Sequence, residues 1–412
     1  MKQQLDTAFL QHTEAIMGPS RFARFIAALD EEPPVSIRLN RAKFPAATVP
    51  AAPVPWCPDG LYLDHRPNFT FDPLLHAGCY YVQEAASMFI THVVSSLCLP
   101  LLTGGDTSRK HPLTVLDLCA APGGKSTALR SVLPPDSLLV SNEPVRQRAQ
   151  ILSENIQKWG HPNCIVTNNY PADIAAAMSP FDIILCDVPC SGEGMFRKDP
   201  ATIAEWSTKN VERCQQLQRQ IVGDIWPCLR PGGILIYSTC TYNTHENEEN
   251  VRWIMGQFGA DCLEVPTNAE WGITGSLLQG FDVPICRFVP GITRSEGLFM
   301  AVLRKPTAPH NAKPHGKGRK ATALNILFSS VNQVGAAAVP VVDLPYPTAI
   351  AYLRREAIVL PASTPKGLVI VAFEGHPLGY VKNIGTRANN LYPREWAIKS
   401  THVPDSYTPV LS

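Results

Sequence analysis

Apolar and polar positions alternate along the middle of this chain in a regular long-period pattern. Short apolar runs bounded by polar or turn residues recur at 114–118, 137–142, 163–167, 181–187 and 234–238. Runs of this length read as strands buried on both faces of a parallel sheet. Helical spacing fills the gaps at 125–133, 145–159, 208–229 and 246–258, with Pro144 suited to the first turn of its helix and Pro231-Gly232-Gly233 closing the third. Two further strands are predicted near 286–289 and 298–303. Strands alternating with helices predict an α/β fold, a doubly wound and mostly parallel sheet with ligands at the strand C-termini.

The flanks read differently. Residues 1–30 carry helical spacing in Phe9, Ile16, Phe22, Phe25, Ile26 and Leu29, and Ser36–Asn40 reads as an exposed strand bearing a cation. A proline-rich segment follows, then Tyr80–Met88, which turns into a helix running to about Leu97, and a largely polar loop at 100–112. Residues 306–322, rich in Pro, Gly and Lys, read as a linker. Beyond it, hydrophobic runs such as Gly367–Phe373 predict a small β-rich domain. The expected organisation is a small α+β N-terminal region at 1–78, the central α/β domain at 79–305, the basic linker at 306–322 and the β-rich domain at 323–412.

Composition narrows this little: 45% hydrophobic and 17% charged is ordinary for a globular chain, and the net charge is +1. The distribution is more telling, because 297–342 holds six cations and no acid. The 12 cysteines form no C-x-x-C pair, which argues against zinc, and with no signal-peptide core they read as free thiols. No run approaches the roughly 18 apolar residues of a membrane span, so a cytoplasmic protein is expected.

The first chemistry sits after the first core strand, in Asp117-Leu118-Cys119-Ala120-Ala121-Pro122-Gly123-Gly124-Lys125-Ser126. The two glycines let backbone N–H groups and a helix N-terminus approach a ligand. A phosphate-cradling G-x-x-x-x-G-K-[ST] loop would need glycine at 119, where Cys119 stands, and G-x-G-x-x-G is absent. Glu143 closes the next strand, placed to accept from both hydroxyls of a ribose. A nucleoside ligand without phosphates is favoured. Two later strand ends, Asp187-Val188-Pro189-Cys190-Ser191-Gly192 and Ser238-Thr239-Cys240-Thr241-Tyr242, should open onto the same crevice and bring two thiols and a carboxylate together.

These three motifs, Cys-Ala-Ala-Pro-Gly-Gly-Lys, Asp-x-Pro-Cys-Ser-Gly and Ser-Thr-Cys-Thr, together resemble the Sun/Fmu (RsmF-type) RNA 5-methylcytosine methyltransferases. Ser36-Ile-Arg-Leu-Asn40 and Tyr80-Tyr-Val-Gln-Glu-Ala85 resemble that family's N-terminal region. Gly192–Lys198 and Gly375–Lys382 are similar to its bacterial ribosomal-RNA branch with a C-terminal PUA-like domain. The resemblance implies a class I S-adenosyl-L-methionine-dependent fold and transfer of a methyl to carbon 5 of a cytosine in rRNA. It makes Cys240 the nucleophile, Cys190 the group assisting proton loss and release, and Asp187 a contact to the base and cofactor. Cys119, Ala120, Ala121, Pro122, Gly123, Gly124, Lys125 and Glu143 would hold the cofactor, with no metal. Where the family carries an acid near 170, this chain has Asn168-Asn169-Tyr170, leaving Tyr170, Asn169 or Asp173 for the adenine.

The expected partner is ribosomal RNA or an assembling small subunit, bound by a monomer, with RNA affinity supplied by the linker and C-terminal domain. The same reaction on tRNA, and a non-catalytic RNA-binding or ribosome-assembly factor, are the competing readings; two intact motif cysteines weigh against the last.

Overall fold

In the computed structural model, residues 5–45, 49–104, 112–178, 180–308, 323–331, 339–400, 402–404 and 407–411 are described. Most of the linker lies outside them, as do four of the six cations of 297–342.

The central sheet has nine strands. Apolar runs form β5 (Thr114–Asp117), β6 (Leu138–Asn142), β7 (Cys164–Thr167), β8 (Phe181–Asp187) and β9 (Leu229–Thr239), all parallel. They lie in the order β9-β8-β5-β6-β7, so the strand order reverses beside β5. Strands β10 (Asp261–Leu263), β11 (Cys286–Phe288) and β12 (Leu298–Arg304) add an antiparallel edge beyond β9. Helices on both faces close two cores. One is centred on Val115, Leu129, Leu139, Ile183 and Ile236, the other on Leu116, Val140, Ile184, Leu235 and Ile254. Consecutive strand residues face opposite cores, which is why these runs are apolar throughout.

The N-terminal region carries helices Thr7–Met17 and Pro19–Leu29 and a four-stranded sheet, from β1 (Val35–Leu39), β2 (Ala52–Val54), β3 (Cys57–Leu63) and β4 (Tyr80–Val82), in the order β2-β3-β1-β4. The C-terminal sheet pairs β14 (Val341–Asp343), β15 (Gly367–Phe373), β16 (His376–Asn383) and β17 (Ala388–Asn390) in sequence order. These two sheets share one core: Ile37, Leu39, Phe71 and Leu74 pack with Leu344, Tyr352, Val369 and Val371.

Several expectations need correction. The Ser36–Asn40 strand is not exposed, and Arg38 is fully buried. Its guanidinium donates to Gln83 Oε1 (2.8 Å) and Thr127 Oγ1 (2.6 Å) and lies over the Trp159 ring, so neighbouring acceptors replace water. Pro144 stands before the helix Arg146–Trp159 rather than in its first turn. The long helix ends at Ile225, and Pro231-Gly232-Gly233 lies inside β9, where Gly232 and Gly233 exchange backbone hydrogen bonds with Lys305. Residues 326–329, assigned by sequence to the C-terminal domain, form β13 (Ile326–Ser329), antiparallel to β7 on the edge of the central sheet. Finally, the helix after Tyr80–Val82 runs on through Leu97 to Thr103. Ala86–Thr103 is then long and apolar enough to cross a membrane by length and composition. Met88, Phe89, Ile90, Val93 and Cys98 place its apolar face in the core.

Candidate functional site

The loop from β5 is stitched to its neighbours by its own backbone. Leu118 donates to Leu185 O (2.9 Å) on β8, and Ala120 to Asn142 O (2.8 Å) on β6. Asn155 Nδ2 holds Pro122 O (2.8 Å), and Arg148 holds Ala121 O (3.1 Å). Gly123 takes φ 115°, and a Cβ there would crowd Leu152 and Asn155. The glycine thus permits both the turn and the close packing that launch the helix Gly124–Val132.

Among the described residues, three buried oxygens at the ends of β5 and β6 have no hydrogen-bond partner: Asp117 Oδ1, Ser141 Oγ and Glu143 Oε2. Asp117 and Ser141 are register partners. Burial, only partly offset by the Ser126 hydroxyl, pushes the Asp117 carboxyl up to about 7. Glu143 accepts from Val145 N–H on Oε1, while Oε2 lies 3.5 Å from the Arg148 guanidinium. Buried acceptors left open in one place mark a ligand with several donors. The donor set fits the ribose and amino end of a nucleoside cofactor. Ser141 was missed by the sequence reading, because a serine inside an apolar strand reads as filler.

The adenine side is less complete. Tyr170 precedes the helix Pro171–Ala177 with 65% of its surface exposed. Asn169 is buried, exchanging hydrogen bonds with Asn325 at the start of β13 (Asn325 N–H to Oδ1, 3.1 Å), and Asn168 donates to Glu143 O (2.8 Å). Asn325 had no local signal, since its role depends on pairing 156 residues away in the chain.

The two thiols meet. β8 and β9 run parallel with Asp187 opposite Ser238, so Cys190 and Cys240 leave adjacent strand ends, and their sulfurs lie 3.2 Å apart. The contact with Cys240, then burial, pushes the Cys190 thiol well above its ordinary range, and either sulfur can be the donor in the contact between them. Lys125 donates to Asp187 Oδ2 at 2.8 Å. Burial opposes charge on that lysine, yet Asp187 together with Cys240 and Asp117 outweighs it and holds the ammonium above its usual value. The cradle helix therefore contributes a fixed cation, tied to Asp187 and close enough for the Cys240 sulfur to affect it. This ion pair joins two residues the sequence named separately. All 12 cysteines are free thiols, nine of them buried, and among the described residues no cluster of His, Cys, Asp and Glu is arranged to hold a metal.

Family comparison covers most of the chain. Residues 5–85 match the N-terminal domain of 16S rRNA methyltransferase RsmF, 108–304 match 16S rRNA methyltransferase RsmB/F, and 339–398 match the methyltransferase RsmF PUA domain. This chain belongs to the RsmB/F methyltransferase family. Its relatives include ribosomal RNA small subunit methyltransferase F of Cronobacter sakazakii, 29% identical over 95% of this chain and 96% of that protein. The protein of the same name from Pectobacterium atrosepticum is 35% identical over 73% of this chain and 63% of its own length. Among solved structures, a methyltransferase homologue from Pyrococcus horikoshii matches this RsmB/F chain with a TM-score of 0.60 at 25% identity, covering 74% of this chain and 96% of that one. NSun6 from the same organism, solved with SFG, shares the fold (TM-score 0.58, 19% identity, 75% and 100% coverage).

Proposed function

We propose that this RsmB/F-family protein methylates carbon 5 of a cytosine in small-subunit ribosomal RNA, with S-adenosyl-L-methionine as donor and a covalent cysteine adduct at carbon 6. The observation that carries this reading is the pair of thiols in contact at adjacent strand ends, beside an ion pair rooted in the cofactor loop.

Carbon 5 of cytosine is a poor nucleophile. Attack of the Cys240 thiolate on carbon 6 forms a C–S bond and moves the ring electrons toward carbon 5, making it enamine-like. Lys125 brings a cation close to the Cys240 sulfur and Cys190 brings a second thiol into contact with it, the kind of surroundings in which a thiol nucleophile works. Asp187, paired with Lys125 beside the thiols, hydrogen-bonds the base and favours charge build-up in the ring. The cofactor supplies an electrophilic methyl to carbon 5. Residues 119–125, Glu143, Asp117 and Ser141 would hold it, with Tyr170 beside its adenine end. Once carbon 5 carries the methyl, its proton must leave; the electrons of that C–H bond restore the ring double bond and expel Cys240 as thiolate. Cys190 assists both steps, the loss of that proton, which passes on to water, and the release of the enzyme.

The roles separate experimentally. Cys240→Ala should be inactive and form no RNA adduct on denaturing gels, whereas Cys190→Ala should accumulate one when RNA and cofactor are both present. A Cys240→Ala protein that trapped RNA while Cys190→Ala did not would reverse the assignment. Bisulfite mapping of cellular RNA with and without the protein tests the substrate: loss of a 5-methylcytosine from tRNA alone would overturn the ribosomal reading.

A further inference from the structure

Behind the thiols lies a buried polar cluster that the mechanism above does not use. Glu193, three residues after Cys190, reaches across to the segment that follows Cys240. Its Oε2 accepts from Tyr242 N–H (2.6 Å) and Asn243 N–H (3.0 Å), and its Oε1 from Asn243 Nδ2 (2.9 Å) and Trp206 Nε1 (3.0 Å). Glu246 does the reverse. It lies six residues after Cys240, and its Oε2 accepts from Ser191 N–H (3.0 Å), the peptide next to Cys190, and from Gln218 Nε2 (2.7 Å). Gln218 also donates to Pro189 O (2.9 Å), on the other side of Cys190. Asn243 joins the halves: its Nδ2 donates to both carboxylates, at 2.9 Å each, while its Oδ1 accepts from Glu246 N–H. A direct backbone bond, Gly194 N–H to Cys240 O (2.6 Å), lies between them.

Two buried carboxylates sharing one asparagine, with no cation among their hydrogen-bond partners, are an expensive way to fill a core. Apolar side chains of the same volume would stabilise a merely structural contact at lower cost. What carboxylates provide here is reciprocity, since each loop grips backbone N–H groups flanking the other loop's cysteine. We propose that Glu193 and Glu246, bridged by Asn243, are positioning residues that cross-lock the two cysteine loops and set the distance between their thiols. The inference deepens the methyltransferase reading and rests on it for its kinetic consequence, but the geometric claim stands on the loops themselves.

The test reads geometry and chemistry separately, in the full-length protein. Glu193→Gln and Glu246→Gln keep side-chain volume but turn a donor toward donors. Diamide, an azo oxidant that takes up two electrons and two protons, couples two adjacent thiols into a disulfide. Cys190–Cys240 coupling, followed by peptide mass spectrometry, therefore reports thiol proximity without RNA or cofactor. Both variants should couple at least about tenfold more slowly than the parent and transfer methyl to RNA slower by at least about the same factor, since displacement by about 1 Å costs that much. RNA and cofactor affinities should stay within about twofold, the pattern of a lost transition-state interaction. Coupling and methyl transfer at parental rates in variants that merely melt lower would make the cluster structural and overturn the proposal. Should both glutamine variants fail to fold, Gln218→Met removes the grip on Pro189 O and one of the bonds that hold Glu246 against Ser191, and its coupling rate decides in the same way. Slow coupling in the variants alongside a parent protein that transfers no methyl to RNA would support the lock and reject the methyltransferase chemistry instead.

Discussion

Glu143 carries the most direct consequence of a single side chain. A buried carboxylate with one open oxygen beside the cofactor loop gains charged hydrogen bonds when a ribose arrives. Glu143→Ala should therefore weaken S-adenosyl-L-methionine binding by roughly 1.5–3 kcal/mol in calorimetry, and unchanged affinity would remove the residue from the ribose site. Asp117 makes a second prediction, about pH. Burial raises its folded-state value to about 7, above the ordinary carboxylate value it has when unfolded. The folded protein thus holds a proton that the unfolded chain releases, so this group's stabilisation is full below about pH 4 and is lost as pH rises through about 7. Melting of the cofactor-free protein should fall between pH 5 and 8, and Asp117→Asn should flatten that slope, each tenfold gain in the carboxylate's proton affinity on folding being worth about 1.4 kcal/mol. A parallel slope in the variant would assign the titration to another group. Both residues were visible in the sequence because each ends an apolar run with an acid. Arg38 and Ser141 were not, because a buried polar group is told from an exposed one only by the partners that reach it.

At the scale of elements, the helix turn after Cys190 is fitted tightly against the Cys240 loop. A Cβ on Gly194 would overlap the Cys240 carbonyl oxygen and crowd Gly297 O. Gly194→Ala should lower stability by about 1–3 kcal/mol, as overpacking does, and abolish adduct formation by displacing the nucleophile's own backbone. Thermal melting and gel-shift trapping check the two halves separately. Elements whose residues all serve one local purpose were legible in the sequence, as the strands β5, β6 and β8 and the glycine turn after β5 illustrate. Those answering to distant partners were not. β13 is a short strand with largely exposed side chains, and only its antiparallel pairing with β7 makes it one. Pro231-Gly232-Gly233 carries the local chemistry of a stop, yet pairing with Lys305 draws it into β9.

Across the whole molecule, the C-terminal sheet offers exposed cations at Lys382, Arg387, Arg394 and Lys399, near exposed Leu368, Tyr380 and Leu391. If this face meets phosphates, Lys382→Glu and Arg387→Glu should each weaken RNA binding across sequences and reduce the slope of log affinity against log salt by about 1. Filter binding at several salt concentrations measures this, and unchanged slopes would take the face out of the RNA footprint. Clean deletion of the domain is a poorer test than the sequence implied, because its residues also complete the N-terminal core.

That shared core has a consequence for how the protein is made. Ile37, Leu39, Phe71 and Leu74 leave the ribosome hundreds of residues before Leu344, Tyr352, Val369 and Leu411, the side chains that cover them. Tyr407 reaches back to Asp72 across 335 positions, and Tyr346 to Phe71 across 275. Contacts so distant in sequence form late, because the chain between must first be ordered. The nascent N-terminal sheet must therefore wait, one apolar face bare, until the C-terminal sheet has emerged, and such surface invites aggregation or chaperone capture. Nascent chains stalled near residue 305 should be trapped by a chaperone and cut quickly by protease, with protection of the first 80 residues appearing only once synthesis passes the final strands.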